Sequence, residues 1–70
     1  MENRLKDLRE DHDLSQEKLA QAIGLTQRKY SYVETGSQPL TAEILVKLAD
    51  FYGVSVDYLL CRTNDPRPLR

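Results

Sequence analysis

Between positions 27 and 32 the chain reads Gln27-Arg28-Lys29-Tyr30-Ser31-Tyr32. Gln27 carries an amide that donates and accepts at once, which suits adenine N6 and N7; Arg28 carries a two-pronged donor that suits guanine O6 and N7. Lys29, Ser31 and Tyr32 add a point charge and two hydroxyls, while Tyr30 and Val33 interrupt the polar run as inward-facing positions. Taken alone, the stretch describes a solvated helix face equally well, because Gln, Arg and Lys are good helix formers.

Other chemistries find little to work with. The single His12 and the single Cys61 stand 49 positions apart, and no nucleophile with a base, no metal-ligand cluster and no glycine-rich phosphate loop accompanies them. The reading is therefore non-enzymatic, with no cofactor and no metal. His12 reads as a surface residue at the end of the first helix, and Cys61 as a partly buried thiol. One cysteine cannot close an intrachain disulfide, which points to the cytoplasm. Met1 is followed directly by Glu2, Asn3 and Arg4, so neither a secretory leader nor a membrane span is expected.

The elements that must carry the polar run announce themselves by their starts. An apolar residue, a Ser or Thr, and a second apolar residue five positions after the first form a helix-start pattern. The hydroxyl accepts from an orphan amide and the apolar pair closes over the turn. The pattern occurs four times: Leu14-Ser15 to Leu19, Leu25-Thr26 to Tyr30, Leu40-Thr41 to Leu45, and Val54-Ser55 to Leu59. Gly24, Gly36 and Gly53 stand where left-handed residues would end three of the runs. The expected fold is all-α, with helices over about 2–12, 16–23, 27–35, 42–52 and 56–61. On the fourth, Leu45, Leu48, Ala49 and Tyr52 form the core-facing stripe, leaving Ile44, Val46 and Phe51 partly off it. Only Gly24, Leu25 and Thr26 join the second helix to the third, a helix-turn-helix spacing that leaves one face of the third uncovered.

Length and charge set the remaining bounds. Seventy residues build one core, so residues 1–63 are expected to form one helix-turn-helix domain and residues 64–70 a flexible C-terminal tail. A core of this size yields roughly 3–5 kcal/mol, which favours a partner subunit. The 10 Lys and Arg against 11 Asp and Glu give a formal charge of -1, so any attraction to phosphate must be local. Residues 24–36 carry +1, residues 39–61 carry -2, and the tail from Arg62 carries +2.

The segments Leu14-Ser15-Gln16-Glu17-Lys18-Leu19-Ala20, Ile23-Gly24-Leu25-Thr26 and Val33-Glu34-Thr35-Gly36 together resemble the Cro/repressor-type helix-turn-helix family of phage repressors and bacterial regulators. Leu45-Val46-Lys47-Leu48-Ala49 and Tyr52-Gly53-Val54-Ser55-Val56-Asp57-Tyr58-Leu59-Leu60 match the family's closing helices, so the resemblance runs from residue 4 to about 61. It implies a compact five-helix, lambda-repressor-like DNA-binding domain, dimeric by habit, with the third helix in the major groove. By position in the family motif, Gln27, Arg28 and Tyr32 become base-reading candidates. Lys29 and Ser31 become contacts to base or phosphate, and Gln16 at the start of the second helix a phosphate contact.

Ser37 and Gln38 fall in the loop where family members often present basic residues. Neither is charged here, which implies a shallow salt dependence. Glu34 matches an acidic family position and is expected to pair with Arg9. Tyr30 stands where the family usually has an aliphatic residue, so its ring is expected in the core with the hydroxyl near the rim.

The last third of the chain carries more apolar surface than one small core uses. Val56, Tyr58 and Leu60 are accordingly read as a two-fold dimer patch, against the plainer alternative that a short chain wraps apolar residues most of the way round. The expectation is a dimeric repressor on a palindromic double-stranded DNA operator. The alternatives are the antitoxin of a toxin-antitoxin pair and a protein-interaction module that uses the fold without DNA.

Overall fold

Ser15, Thr26, Thr41 and Ser55 each hold extended backbone and accept, on the side-chain oxygen, the amide hydrogen three residues ahead. The donors are Lys18, Lys29, Ile44 and Tyr58, at 3.1, 3.1, 3.3 and 3.0 Å. Each cap satisfies one of the amides that a helix start leaves without an internal partner, and is worth about 1 kcal/mol. The structure, a computed structural model, describes residues 3–67. Its elements are α1 (Leu5–Asp11), α2 (Gln16–Ala22), α3 (Gln27–Thr35), α4 (Ala42–Tyr52) and α5 (Val56–Leu59). With no strand among the described residues, the all-α five-helix architecture is the one expected.

Helix ends follow the glycines. Gly36 and Gly53 are left-handed, at φ 87° and 68°, a conformation that strains any residue with a Cβ. A Cβ at either would meet nothing within 4 Å, so backbone conformation alone selects glycine there.

One core joins all five helices: Leu5 and Leu8 from α1, Leu19, Ala20 and the capping Ile23 from α2, Tyr30 and Val33 from α3, Ile44, Leu48 and Ala49 from α4, and Leu59 from α5. Each large aliphatic side chain fully removed from water contributes about 1.5–3 kcal/mol before entropy is counted. Ile44 departs from expectation. It is buried, whereas Leu45 and Tyr52 are only half-buried, because α4 is rotated so that Ile44 and Leu48, one turn apart, form the centre of its packed face.

The ends of the chain differ from the sequence reading as well. α1 was expected to start near residue 2, which lies outside the described residues; Asn3 and Arg4 are not helical, and the helix begins at Leu5. Arg4 is held by the far end of the domain instead. Its amide donates to the Leu59 carbonyl at 2.8 Å, and its Nε to the Tyr58 carbonyl at 2.8 Å. Its Nη2 reaches the Thr63 carbonyl at 3.3 Å and Asn64 Oδ1 at 3.0 Å. The Asn3 side chain takes over the missing cap by accepting from the Leu5 amide at 3.1 Å. α5 ends at Leu59 and not at Cys61, since Cys61 adopts a left-handed φ of 61° that no helix continues through. Beyond it, the Ser55 amide donates to the Pro66 carbonyl at 2.9 Å, and Arg67 pairs with Asp65 at 2.7 Å. Residues 68–70 of the expected tail lie outside the described residues.

Candidate nucleic-acid interface

α2 ends at Ala22 and α3 begins at Gln27, so the turn between them is short. Leu25 folds back through its amide onto the Ala20 carbonyl at 2.8 Å. Tyr30 and Val33 anchor α3 from behind, both buried. The opposite side carries Gln27 and Arg28, exposed, and Ser31 and Tyr32, half-exposed.

Several of the candidates meet one another. Arg28 Nε donates to Tyr32 Oη at 3.1 Å, one helical turn on, and the guanidinium carbon lies 5.9 Å from the Tyr32 ring centre. Lys29 Nζ donates to Gln38 Oε1 at 2.6 Å. The Gln38 amide in turn donates to the Tyr32 carbonyl at 3.1 Å, which ties the loop after α3 to the helix. Thr35 Oγ1 donates to the Ser31 carbonyl at 3.0 Å and lies 3.3 Å from Ser37 Oγ. Local contacts therefore join Arg28 to Tyr32, Lys29 to Gln38, and Ser31 and Ser37 to Thr35. Gln16 is drawn elsewhere: its Nε2 donates to Glu34 Oε1 at 3.4 Å.

Behind that surface sits an ion pair. Arg9 Nε donates to Glu34 Oε2 at 2.9 Å and Nη2 to Oε1 at 3.0 Å, the parallel two-point geometry that makes such pairs strong. Arg9 Nη1 also donates to the Leu14 carbonyl at 2.9 Å. The expected pairing of Glu34 with Arg9 is present. Burial alone would raise the Glu34 pKa, but hydrogen bonds from Arg9, the influence of Tyr30 and the charge of Arg9 outweigh it, so the carboxyl sits below its usual range. The same pair holds the Arg9 guanidinium more firmly protonated.

The Tyr30 hydroxyl does not reach the rim as expected. It is buried without a hydrogen-bond partner, beside the Glu34 carboxylate. Burial, then the neighbouring carboxylate, push its pKa well above the usual phenol value. The Tyr52 hydroxyl is likewise buried and unpaired, and burial pushes it up to about 12. The Tyr52 ring meets exposed His12 at 5.0 Å between ring centres, tilted by 55°.

The electrostatic consequence is specific to α3. Of its three charges, the one negative charge is neutralised from behind by Arg9, so Arg28 and Lys29 set the sign of the outer face. Among the described residues no group of three or more His, Cys, Asp or Glu side chains is arranged to hold a metal ion. No helix among them is long and apolar enough to cross a membrane.

A second surface lies across the domain. Val56, Tyr58 and Leu60 are half-buried, and the Arg4 guanidinium covers the Tyr58 ring at 4.4 Å. Val46 and Phe51 are the exposed large apolar residues of α4, at 51% and 42% of full exposure. Sequence reading missed the roles of Arg4 and of the Lys29–Gln38 link. The first spans most of the chain and the second joins a helix to an irregular loop, so neither leaves a local pattern.

Two helices joined by this turn, packed in a five-helix domain around one core, define a helix-turn-helix domain. The helix-turn-helix family profile matches residues 5–59, and the chain belongs to that family. It is 45% identical over 65 residues to the HTH-type transcriptional regulator YobD of Bacillus subtilis, covering 93% of this chain and 58% of that protein. It is 40% identical over 58 residues to the cryptic phage CTXphi transcriptional repressor RstR of Vibrio cholerae, covering 83% of this chain and 52% of that protein. An HTH-type transcriptional regulator of Methanocaldococcus jannaschii is 31% identical over 65 residues, covering 93% of this chain and 98% of that protein. The chain thus spans little more than half the length of YobD and RstR. No solved structure matches it.

Proposed function

We propose that this protein is a sequence-specific DNA-binding transcriptional regulator, a non-enzymatic repressor that acts as a homodimer in the cytoplasm. The observation that carries the reading is the outer face of α3. Exposed Gln27 and Arg28 lead it, Lys29 and Tyr32 flank it, and its one carboxylate is turned inward onto Arg9. A helix so presented suits the major groove, where an amide and a guanidinium discriminate adenine and guanine by two-point contacts. Gln27, Arg28 and Tyr32 make up the base-reading face. Lys29, Ser31, Ser37 and Gln38 serve the adjoining backbone or bases, and Gln16 exchanges Glu34 for phosphate. The repressor named among the relatives supports the sign of regulation.

Val56, Tyr58 and Leu60 form the dimer contact in this reading. A two-fold dimer requires a palindromic operator with half-sites about one helical turn, roughly 34–36 Å, apart.

Selection of random duplex DNA by the purified protein, at low and moderate salt and with stoichiometry recorded, is the test. A palindrome bound by two subunits is the expected result. Recovery of no consensus and no salt-sensitive affinity would remove the DNA reading and leave a protein-interaction module.

A further inference from the structure

We propose that Tyr32 is a positioning residue for Arg28, and that the pair acts as a single guanine-reading unit. The inference rests on the reading of α3 as the base-contacting helix, and adds which base it selects and what enforces the choice.

Residues four apart on a helix stand one above the other, and Arg28 and Tyr32 use that spacing. The Tyr32 hydroxyl accepts from Arg28 Nε at 3.1 Å, and the guanidinium carbon lies 5.9 Å from the ring centre. An arginine has five N–H donors in a fixed fork. With Nε committed to Tyr32, the four donors on the two terminal nitrogens remain, and these form the end of the fork that matches two acceptors side by side. Guanine presents such a pair, O6 and N7, on its major-groove edge; adenine, cytosine and thymine do not.

The contact also bears on ordering. A long exposed arginine loses much rotational freedom when it docks, and that loss opposes binding. A side chain already held by a neighbour has less to lose, and cannot swing as readily to a phosphate or an adjacent base pair. The other cation of this face is committed elsewhere, since Lys29 is held by Gln38. Arg28 is exposed, and its hydrogen bond to Tyr32 uses Nε and leaves the terminal nitrogens uncommitted. Within the base-reading face, Tyr32 therefore contributes specificity through the hydroxyl that holds Arg28.

Four proteins are compared on the selected operator and on its single base-pair variants: wild type, Arg28→Ala, Tyr32→Phe and the double variant. Discrimination at the pair read by Arg28 is expected to be for guanine, and to span roughly five- to 150-fold in affinity in wild type. Tyr32→Phe, which keeps the ring and removes the hydroxyl, should reduce discrimination at that same pair by roughly three- to tenfold and leave other pairs unchanged. The double variant should match Arg28→Ala alone. In the free protein, the Arg28 Nε–H resonance should exchange with solvent more slowly in wild type than in Tyr32→Phe, with melting temperature unaltered.

Loss of discrimination at a different base pair, additive effects of the two substitutions, or a preferred base other than guanine would overturn the proposal. If wild type itself selects no DNA, the reading of α3 as a base-contacting helix falls first and this inference with it. That outcome is distinguishable, because it silences all four proteins and not the variants alone.

Discussion

Arg9 and Glu34 grip each other through two parallel hydrogen bonds of 2.9 and 3.0 Å, with their side chains only 15% and 5% exposed. The pair joins α1 to the end of α3 and turns the sole carboxylate of that helix away from its outer face.

Glu34→Ala should destabilise the domain by about 2–3 kcal/mol in urea denaturation at neutral pH, because it leaves the Arg9 charge with one carbonyl partner. The pH dependence has a defined sign. The folded carboxyl lies below the unfolded value of about 4.3, so its contribution is present above that value and fades as pH falls through the lower folded one. Glu34→Gln should flatten this acid limb. An unchanged limb would assign acid unfolding to other carboxylates, of which Asp65, held down by Arg67 hydrogen bonds, is one.

At the alkaline end the buried tyrosines govern. Tyr52 is pushed up to about 12, first by burial and then by the Glu34 charge, against an opposing pull from Arg9. A group raised in the fold contributes stability below its unfolded value, about 10 for a phenol, and loses it as pH climbs toward the folded one. Phenolate absorbance followed alongside helicity should show Tyr52 and Tyr30 ionising only as the helices melt. Tyr52→Phe should be neutral or stabilising at neutral pH, since it removes a buried hydroxyl that lacks a partner, and should soften the alkaline limb. Destabilisation by more than about 1 kcal/mol would mean that the hydroxyl is satisfied in solution.

Arg28→Ala should cost about 1–3 kcal/mol of operator affinity and relax discrimination at one base pair. Binding titrations against the operator and against unrelated duplex separate the two possible roles. An equal loss on all sequences would make Arg28 a phosphate contact.

Tyr58→Asp should convert dimer to monomer in sedimentation while leaving the fold intact. The fold survives because the new carboxylate faces the Arg4 guanidinium that now covers the ring at 4.4 Å; the dimer does not, because two carboxylates would meet across the two-fold axis. A variant that still sediments as a dimer would move the interface away from Tyr58.

What was legible beforehand was local. Ser15, Thr26, Thr41 and Ser55 act within three residues of themselves, so their capping could be read without knowledge of the fold, and the boundaries of α3 and α4 followed. The Arg9–Glu34 pair was reached through family resemblance, since 25 positions separate the two and no spacing rule links them. Ile44 lies in the core and not off the stripe, because an apolar stripe fixes a helix face only to within a residue, and the packing of neighbouring helices chooses the final rotation. For Tyr30, sequence gives the position of the ring but not the surroundings of its hydroxyl, which is buried and not at the rim. On the outer face, Gln27 and Arg28 were visible as side chains, whereas the Arg28–Tyr32 and Lys29–Gln38 contacts depend on rotamers that only coordinates supply.

The clasp at Arg4 has a consequence for how the domain comes apart. Its contacts bridge 54 to 60 positions along the chain, and they tie the entry of α1 to α5 and the segment beyond. The domain is in effect a ring with one seam. Contacts between α2 and α3 are near in sequence and can form while the seam is open, whereas the seam needs both ends assembled first. Opening of the seam should therefore release both ends at once, and slow amide exchange at α1 and α5 should rise and fall together.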